Sequence, residues 1–190
     1  MKLSVKSQVS NEVQLLSLQQ KKRLFFALWL DDNVVQKVKQ RVIKHFSNCQ
    51  GRILEENNWH ITLAYFGAAD VSTQVCLEEN AEKINSQPFE LNLSKCGFWP
   101  RPKVAWLAPE EIPEALNQLA YDLQHVIEPC GFKLDLREYH PHITLVRKAK
   151  HQPSVSEVEA INWQVRQFCL VESKTYPEGA QYKVLKSWDL

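Results

Sequence analysis

From Arg23 onward the chain alternates between strand-like and helix-like patterns. Leu24-Phe25-Phe26-Ala27-Leu28-Trp29-Leu30 is an unbroken apolar run of strand length, the pattern of a central strand covered on both faces. Asp31-Asp32-Asn33 offers a helix N-cap, and Val34, Val35, Val38, Val42 and Phe46 then recur at helical spacing until Gln50-Gly51. The segment from Asn58 to Gly67 reads as a strand, and a second helix is expected from Ser72 to Asn85. Phe89, Leu91 and Leu93 alternate with Glu90, Asn92 and Ser94, which marks a half-exposed strand. Gly97 to Pro102 predicts a turn, with Val104 to Leu107 as the returning strand. A long helix is expected from Ile112 to Glu128, stopped by Pro129 and Gly131.

His140 to Arg147 reads as a further strand, and Val155 to Asn162 as a short helix. Trp163 to Ser173 and Gln181 to Trp188 read as a terminal strand pair, joined by a loop holding Pro177 and Gly179. Mixed strands and helices with hairpin-like pairs predict an α+β fold. Residues 1–21 stand apart as an N-terminal extension in which Val13 to Leu18 could form a short helix. Residues 22–190 form the folded domain.

The tetrapeptide His-Ile-Thr-Leu occurs twice, at His60-Ile61-Thr62-Leu63 and at His142-Ile143-Thr144-Leu145. A repeat at this distance is too long for a solenoid and points to two related lobes. Strand alternation puts His60 and Thr62 on one face with Ile61 and Leu63 on the other, and treats His142 and Thr144 in the same way. Each copy therefore anchors on Ile and Leu and presents His plus Thr. One strand histidine is ordinarily structural, and Thr in a strand is common; the paired unit carries the signal.

Two histidines suit phosphoester chemistry. In-line attack at phosphorus needs a base beside the nucleophile and an acid beside the leaving group, and imidazole serves either role near neutral pH. The Thr hydroxyls can donate to phosphate oxygens. The residues alone leave the two histidines interchangeable as acid and base.

Among candidate substrate contacts, Arg147 matches phosphate geometry, although simple alternation puts it opposite His142 unless the strand bulges. Phe66 shares the parity of His60 and Thr62 and is a candidate base-stacking residue. His140 and His142 form an HxH with metal-binding spacing, but no third ligand or acidic cluster accompanies it, so no metal or other cofactor is expected. His45, His125 and His151 read as surface or boundary residues.

Charge narrows the partners. With 190 residues, 23 Lys+Arg against 22 Asp+Glu and a net charge of +1, the chain is not a general coat for nucleic acid. That balance still leaves room for a local phosphate pocket. The five cysteines, Cys49, Cys76, Cys96, Cys130 and Cys169, are scattered and odd in number, and are expected as reduced thiols. No apolar run reaches membrane-span length and no signal peptide is evident, so a cytoplasmic protein without membrane contact is expected.

These residues resemble the 2H phosphoesterase superfamily, and within it the bacterial RNA 2′,3′-cyclic phosphodiesterases, LigT-like and formerly called 2′-5′ RNA ligases. The resemblance runs from Arg23 to Leu190. It is carried by Arg23-Leu24-Phe25-Phe26-Ala27, by Asn58-Trp59 before the first HITL, by Arg101-Pro102 with Trp106-Leu107, by Pro141 and Val146-Arg147 around the second, and by Gly179 to Trp188. It implies one bilobal domain over 22–190, with two antiparallel sheets, outer helices, a pseudo-twofold and a central cleft. It also implies cytoplasmic, metal-independent hydrolysis of RNA 2′,3′-cyclic phosphate ends to 2′-phosphates; a monomer is expected. Carried over, His60 is the acid that protonates departing O3′, His142 the base that activates water, and Thr62 and Thr144 hold phosphate oxygens. Alternatives that keep the same site are another phosphodiester or a reversible 2′-5′ joining reaction. A non-catalytic RNA-end binding module is the reading from a different class. Asp31-Asp32 stands where the family pattern leads one to expect proline.

Overall fold

The structure, a computed structural model, describes residues 21–134 and 137–190. The extension expected over residues 1–21 lies outside the described residues apart from Lys21, as does the helix considered at Val13–Leu18. The strands are β1 Lys22–Trp29, β2 Arg52–Ile53, β3 His60–Ala69, β4 Phe89–Trp99, β5 Val104–Pro109, β6 Ile143–Arg147, β7 Glu157–Val165, β8 Gln167–Tyr176 and β9 Gly179–Asp189. The α-helices among the described residues are α1 Asp32–Lys37, α2 Val71–Ala81 and α3 Glu114–Ile127. The fold is α+β, and among the described residues every strand pairing is antiparallel.

The strands run in the order β7-β4-β5-β6-β3-β1-β8-β9, with β2 also paired to β6. Two four-stranded arms thus meet at a seam between β6 and β3, the two HITL strands. The seam rests on one pair of Cα partners, Ile61 and Ile143. The two sheets that the resemblance implies are therefore joined by that pair into a single hydrogen-bonded path.

The apolar run in β1 has the double burial its pattern predicts. Leu24, Phe26 and Leu28 enter the main core, while Phe25 and Ala27 pack on the other face with Cys169 and Val171. Helix α3 covers the sheet with Leu116, Leu119, Ala120, Leu123, Val126 and Ile127. Each of its fully buried leucines contributes about 1.5–3 kcal/mol relative to exposure.

Several elements differ from the sequence expectation. The first helix is regular only over α1, where Asp31 caps Val34 N–H at 2.9 Å. It loosens into a π-helical stretch at Val38–Val42 and tightens into 3₁₀ turns at Ile43–Cys49. The π-helical stretch fits the four-residue spacing of Val34, Val38 and Val42, all buried, because a repeat of four drifts off one face of a helix with 3.6 residues per turn unless the backbone unwinds.

The short helix expected at Val155–Asn162 is instead the start of β7. Ile161, Trp163 and Val165 are buried with exposed residues between them, and β4 supplies the partner strand. Cys76 on α2 and Cys130 beyond α3 form a disulfide, which corrects the expectation of five reduced thiols; Cys49, Cys96 and Cys169 are free and buried. The two helices pack together across a sequence gap that no local spacing reveals. No helix among the described residues is long and apolar enough to cross a membrane.

Candidate active site

The seam strands build the site. Across the Ile61–Ile143 pair the antiparallel register sets His60 beside Thr144 and Thr62 beside His142. Ile61 and Ile143 are fully buried beneath them, and the His and Thr side chains are half-buried on the opposite face. Ile and Leu thus anchor each unit in the core while His and Thr stay accessible.

Each HITL strand also carries a bulge at its leucine. Opposite β1, Phe26 pairs with Ala64 and Ala27 with Thr62, leaving Leu63 as the extra residue. Opposite β5, Ala105 pairs with Val146 and Trp106 with Thr144, leaving Leu145 extra. A bulge inserts one residue and reverses the alternation beyond it. Leu63 and Ala64 both turn inward and Tyr65 comes out; Leu145 and Val146 both turn inward and Arg147 comes out. The repeated unit is therefore His, Thr and the third residue after Thr, namely Tyr65 in one copy and Arg147 in the other.

That shift corrects the placement of Phe66. It is the extra residue of a second irregularity in β3, and it packs in the core against Phe26 at 5.3 Å and Phe132 at 5.6 Å. Tyr65, 51% exposed, occupies the cleft face instead.

Two adjoining hollows share Thr62 and Tyr65. One, of about 590 Å³, is lined by His60, Arg23, Arg52, Arg147, Lys148 and the β8–β9 hairpin. The other, of about 480 Å³, is lined by His142, Trp99 and Tyr139. The histidines thus lie on either side of a common centre. Thr144 is half-buried on the seam and lines neither hollow.

Each imidazole is held in the same way. His60 Nδ1 donates to the Asn58 carbonyl at 2.7 Å, and His142 Nδ1 donates to the His140 carbonyl at 2.9 Å. A carbonyl can only accept, so in the neutral ring Nδ1 carries the proton and Nε2 keeps the lone pair. His60 stacks on Trp29 (5.3 Å, 2°) and meets Tyr182 edge-on at 5.0 Å. Trp99 meets His142 edge-on at 4.5 Å. The Asn58 side chain ties this region to β9 through the Ala180 carbonyl. Tyr139 donates to the Thr62 carbonyl at 3.2 Å, linking the two sides.

Burial lowers the His60 imidazole to about 4; the Asn58 carbonyl opposes this, and the charges of Arg147 and His142 add to it. His142 is also lowered, first by burial, then by Arg147 and His140. Arg147 therefore acts electrostatically on both rings. His140 lies 3.7 Å from Glu138, and no group of three His, Cys, Asp or Glu side chains among the described residues is arranged to hold a metal.

The spacing of chemistry along the sequence did not point to Arg52, Arg23, Tyr65, Trp29, Tyr182 or Asn58, while Trp99 could be read from sequence equally well as a substrate-touching loop residue or as part of a plain hairpin turn. Only the bulge, had it been visible, would have exposed Tyr65.

A family model described as the 2′-5′ RNA ligase superfamily matches residues 36–177. The RNA 2′,3′-cyclic phosphodiesterase of Escherichia coli (strain K12) is 32% identical over 170 residues, covering 88% of this chain and 96% of that protein. The protein of the same name from Archaeoglobus fulgidus is 30% identical over 178 residues, covering 88% and 99%. The crystal structure of E. coli LigT complexed with 3′-AMP superimposes with a TM-score of 0.83 at 31% identity, covering 90% of this chain and 99% of that one. The matched span takes in both HITL strands and the seam between them, and the chain belongs to the 2′-5′ RNA ligase superfamily.

Proposed function

We propose that this chain hydrolyses ribose 2′,3′-cyclic phosphates at RNA ends to 2′-phosphates. The observation that carries the reading is the pair of His-x-Thr units side by side on the seam, with Arg147 near both rings. The names of the relatives support the same substrate. The cyclic phosphate lies over the seam, its non-bridging oxygens taking hydrogen bonds from Thr62, Thr144 and Arg147.

His142 Nε2 accepts a proton from water as the water oxygen bonds to phosphorus. The bond from phosphorus to O3′ breaks, and O3′ takes a proton from His60. The product is a 2′-phosphate with a free 3′-hydroxyl, and the two imidazoles re-equilibrate with solvent. The assignment of His60 as acid and His142 as base follows the family resemblance. Two imidazoles account for both proton transfers, so turnover of 2′,3′-cyclic AMP should persist in EDTA; loss of activity in chelator that added metal restores would overturn this scheme. A monomeric enzyme is part of this proposal, and the RNA-directed chemistry supports a cytoplasmic site of action.

The lowered imidazoles give a pH signature. The profile of kcat/KM reports the free enzyme, and that of kcat the complex. In the free enzyme both rings titrate below 6.5, so the kcat/KM optimum is expected below pH 6.5. A bound phosphate anion favours imidazolium and raises both rings, so the kcat optimum should lie at higher pH. Coincident optima above pH 7 would contradict the account. The same depression makes folding stability depend on His60: its share is present above about pH 6.5 and is lost as pH falls toward 4.

A further inference from the structure

The hollow on the His60 side carries more positive charge than one phosphodiester needs. Arg23, Arg52, Arg147 and Lys148 line it, with Glu178 as the one carboxylate among its lining residues. None of the four cations has a carboxylate within ion-pair reach among the described residues, although the whole chain has a net charge of only +1. Arg147 faces the two histidines, and Arg23 is held by the Tyr65 hydroxyl and by Thr175. Arg52 and Lys148 remain.

Both are placed by backbone features that have no evident purpose in the core. Arg52 sits on the two-residue strand β2, opposite Arg147 on β6. Its guanidinium lies over Gly179, where a Cβ would come within 2.0 Å of it. Gly179 at φ 144 thus leaves the seat that Arg52 occupies. Lys148 has φ 56, a left-handed conformation that favours glycine, directly where β6 ends. A strained non-glycine residue at a cleft wall points toward function.

The proposed reaction gives this hollow a direction. In an in-line displacement the leaving oxygen lies on the acid's side. With His60 as acid, O3′ and its ribose are on the His60 side, where Arg52 and Lys148 line the same hollow. Attacking water comes from the His142 side. We propose that Arg52 and Lys148 form a second phosphate subsite, which holds the backbone phosphate 5′ to the terminal nucleotide, so that the enzyme selects oligonucleotide ends over mononucleotides. The inference rests on the proposed function for its polarity.

Equilibrium binding tests it independently of turnover. The probes are a trinucleotide ending in 2′-phosphate and the matching nucleoside 2′-phosphate, titrated against the full chain. The trinucleotide is expected to bind roughly tenfold or more tightly, the scale of one charge-assisted hydrogen bond at a partly exposed site. One further phosphate neutralised predicts that its log affinity falls with log salt more steeply than that of the mononucleotide by about 0.7.

Arg52→Ala and Lys148→Gly should each reduce the affinity ratio and lessen that excess slope, and the double substitution should abolish it. Lys148→Gly relieves the left-handed backbone, so loss of the fold cannot account for its effect. Lys83→Ala, which removes an equal charge outside the hollow, should leave the ratio unchanged. A ratio near one in the wild type, or a ratio that survives the double substitution, would overturn the subsite. Failure to turn over any cyclic phosphate would instead overturn the proposed reaction, and the binding ratio would still decide whether the subsite exists.

Discussion

Alanine at His60 or at His142 is expected to lower kcat on a cyclic-phosphate-ended RNA by roughly 10²–10⁴-fold, the usual worth of one positioned acid or base. The reasons differ at the two positions. His60 is boxed by Phe25, Trp29 and Tyr182, so its loss also empties an aromatic cage. His142 meets one tryptophan and a carbonyl. His60→Gln, which keeps bulk and a donor but cannot supply the imidazole proton, separates chemistry from packing: it should fold like the parent and remain as inactive as His60→Ala. Because acid and base act in one displacement, the double substitution should cost little more than the worse single one. Full additivity would indicate that the rings serve separate steps.

Arg147→Ala is expected to lower kcat/KM by roughly 10²–10³-fold, the range seen when one preorganised donor to a developing oxyanion is removed. A second effect distinguishes this from simple loss of binding. The Arg147 charge depresses both imidazoles, so removing it should move the acidic limb of the kcat/KM profile to higher pH. Arg147→Lys restores charge without the planar fork and should recover the pH profile better than the rate. An Arg147→Ala enzyme with an unshifted profile would mean that the guanidinium does not face the histidines.

How much of this could be read from the chain alone depends on the length scale of each signal. The paired HITL segments are local, and strand alternation was enough to group His with Thr and Ile with Leu. The apolar run in β1 announced its double burial for the same reason. Alternation failed at the bulges, because one inserted residue at Leu63 or Leu145 reverses every face that follows. It therefore offered Phe66 in place of Tyr65, and it set Arg147 on the wrong face unless a bulge intervened. Arg52 escaped notice because a two-residue strand has no period to detect. The Trp29 and Tyr182 contacts to His60, and the Cys76–Cys130 bridge, join segments that meet only in the tertiary fold. The switch from helix to strand at β7 was likewise decided by its partner β4, since Val158 and Ile161 suit either element.

The paired histidines are proposed to open a ribose cyclic phosphate at O3′. Product analysis on an oligonucleotide with a 2′,3′-cyclic phosphate end, in EDTA, tests it most directly. The parent enzyme is expected to give a 2′-phosphate end with a free 3′-hydroxyl, and the His60→Ala, His142→Ala double variant to leave the substrate unreacted over the same interval. A 3′-phosphate end, or equal product from the double variant, would contradict it.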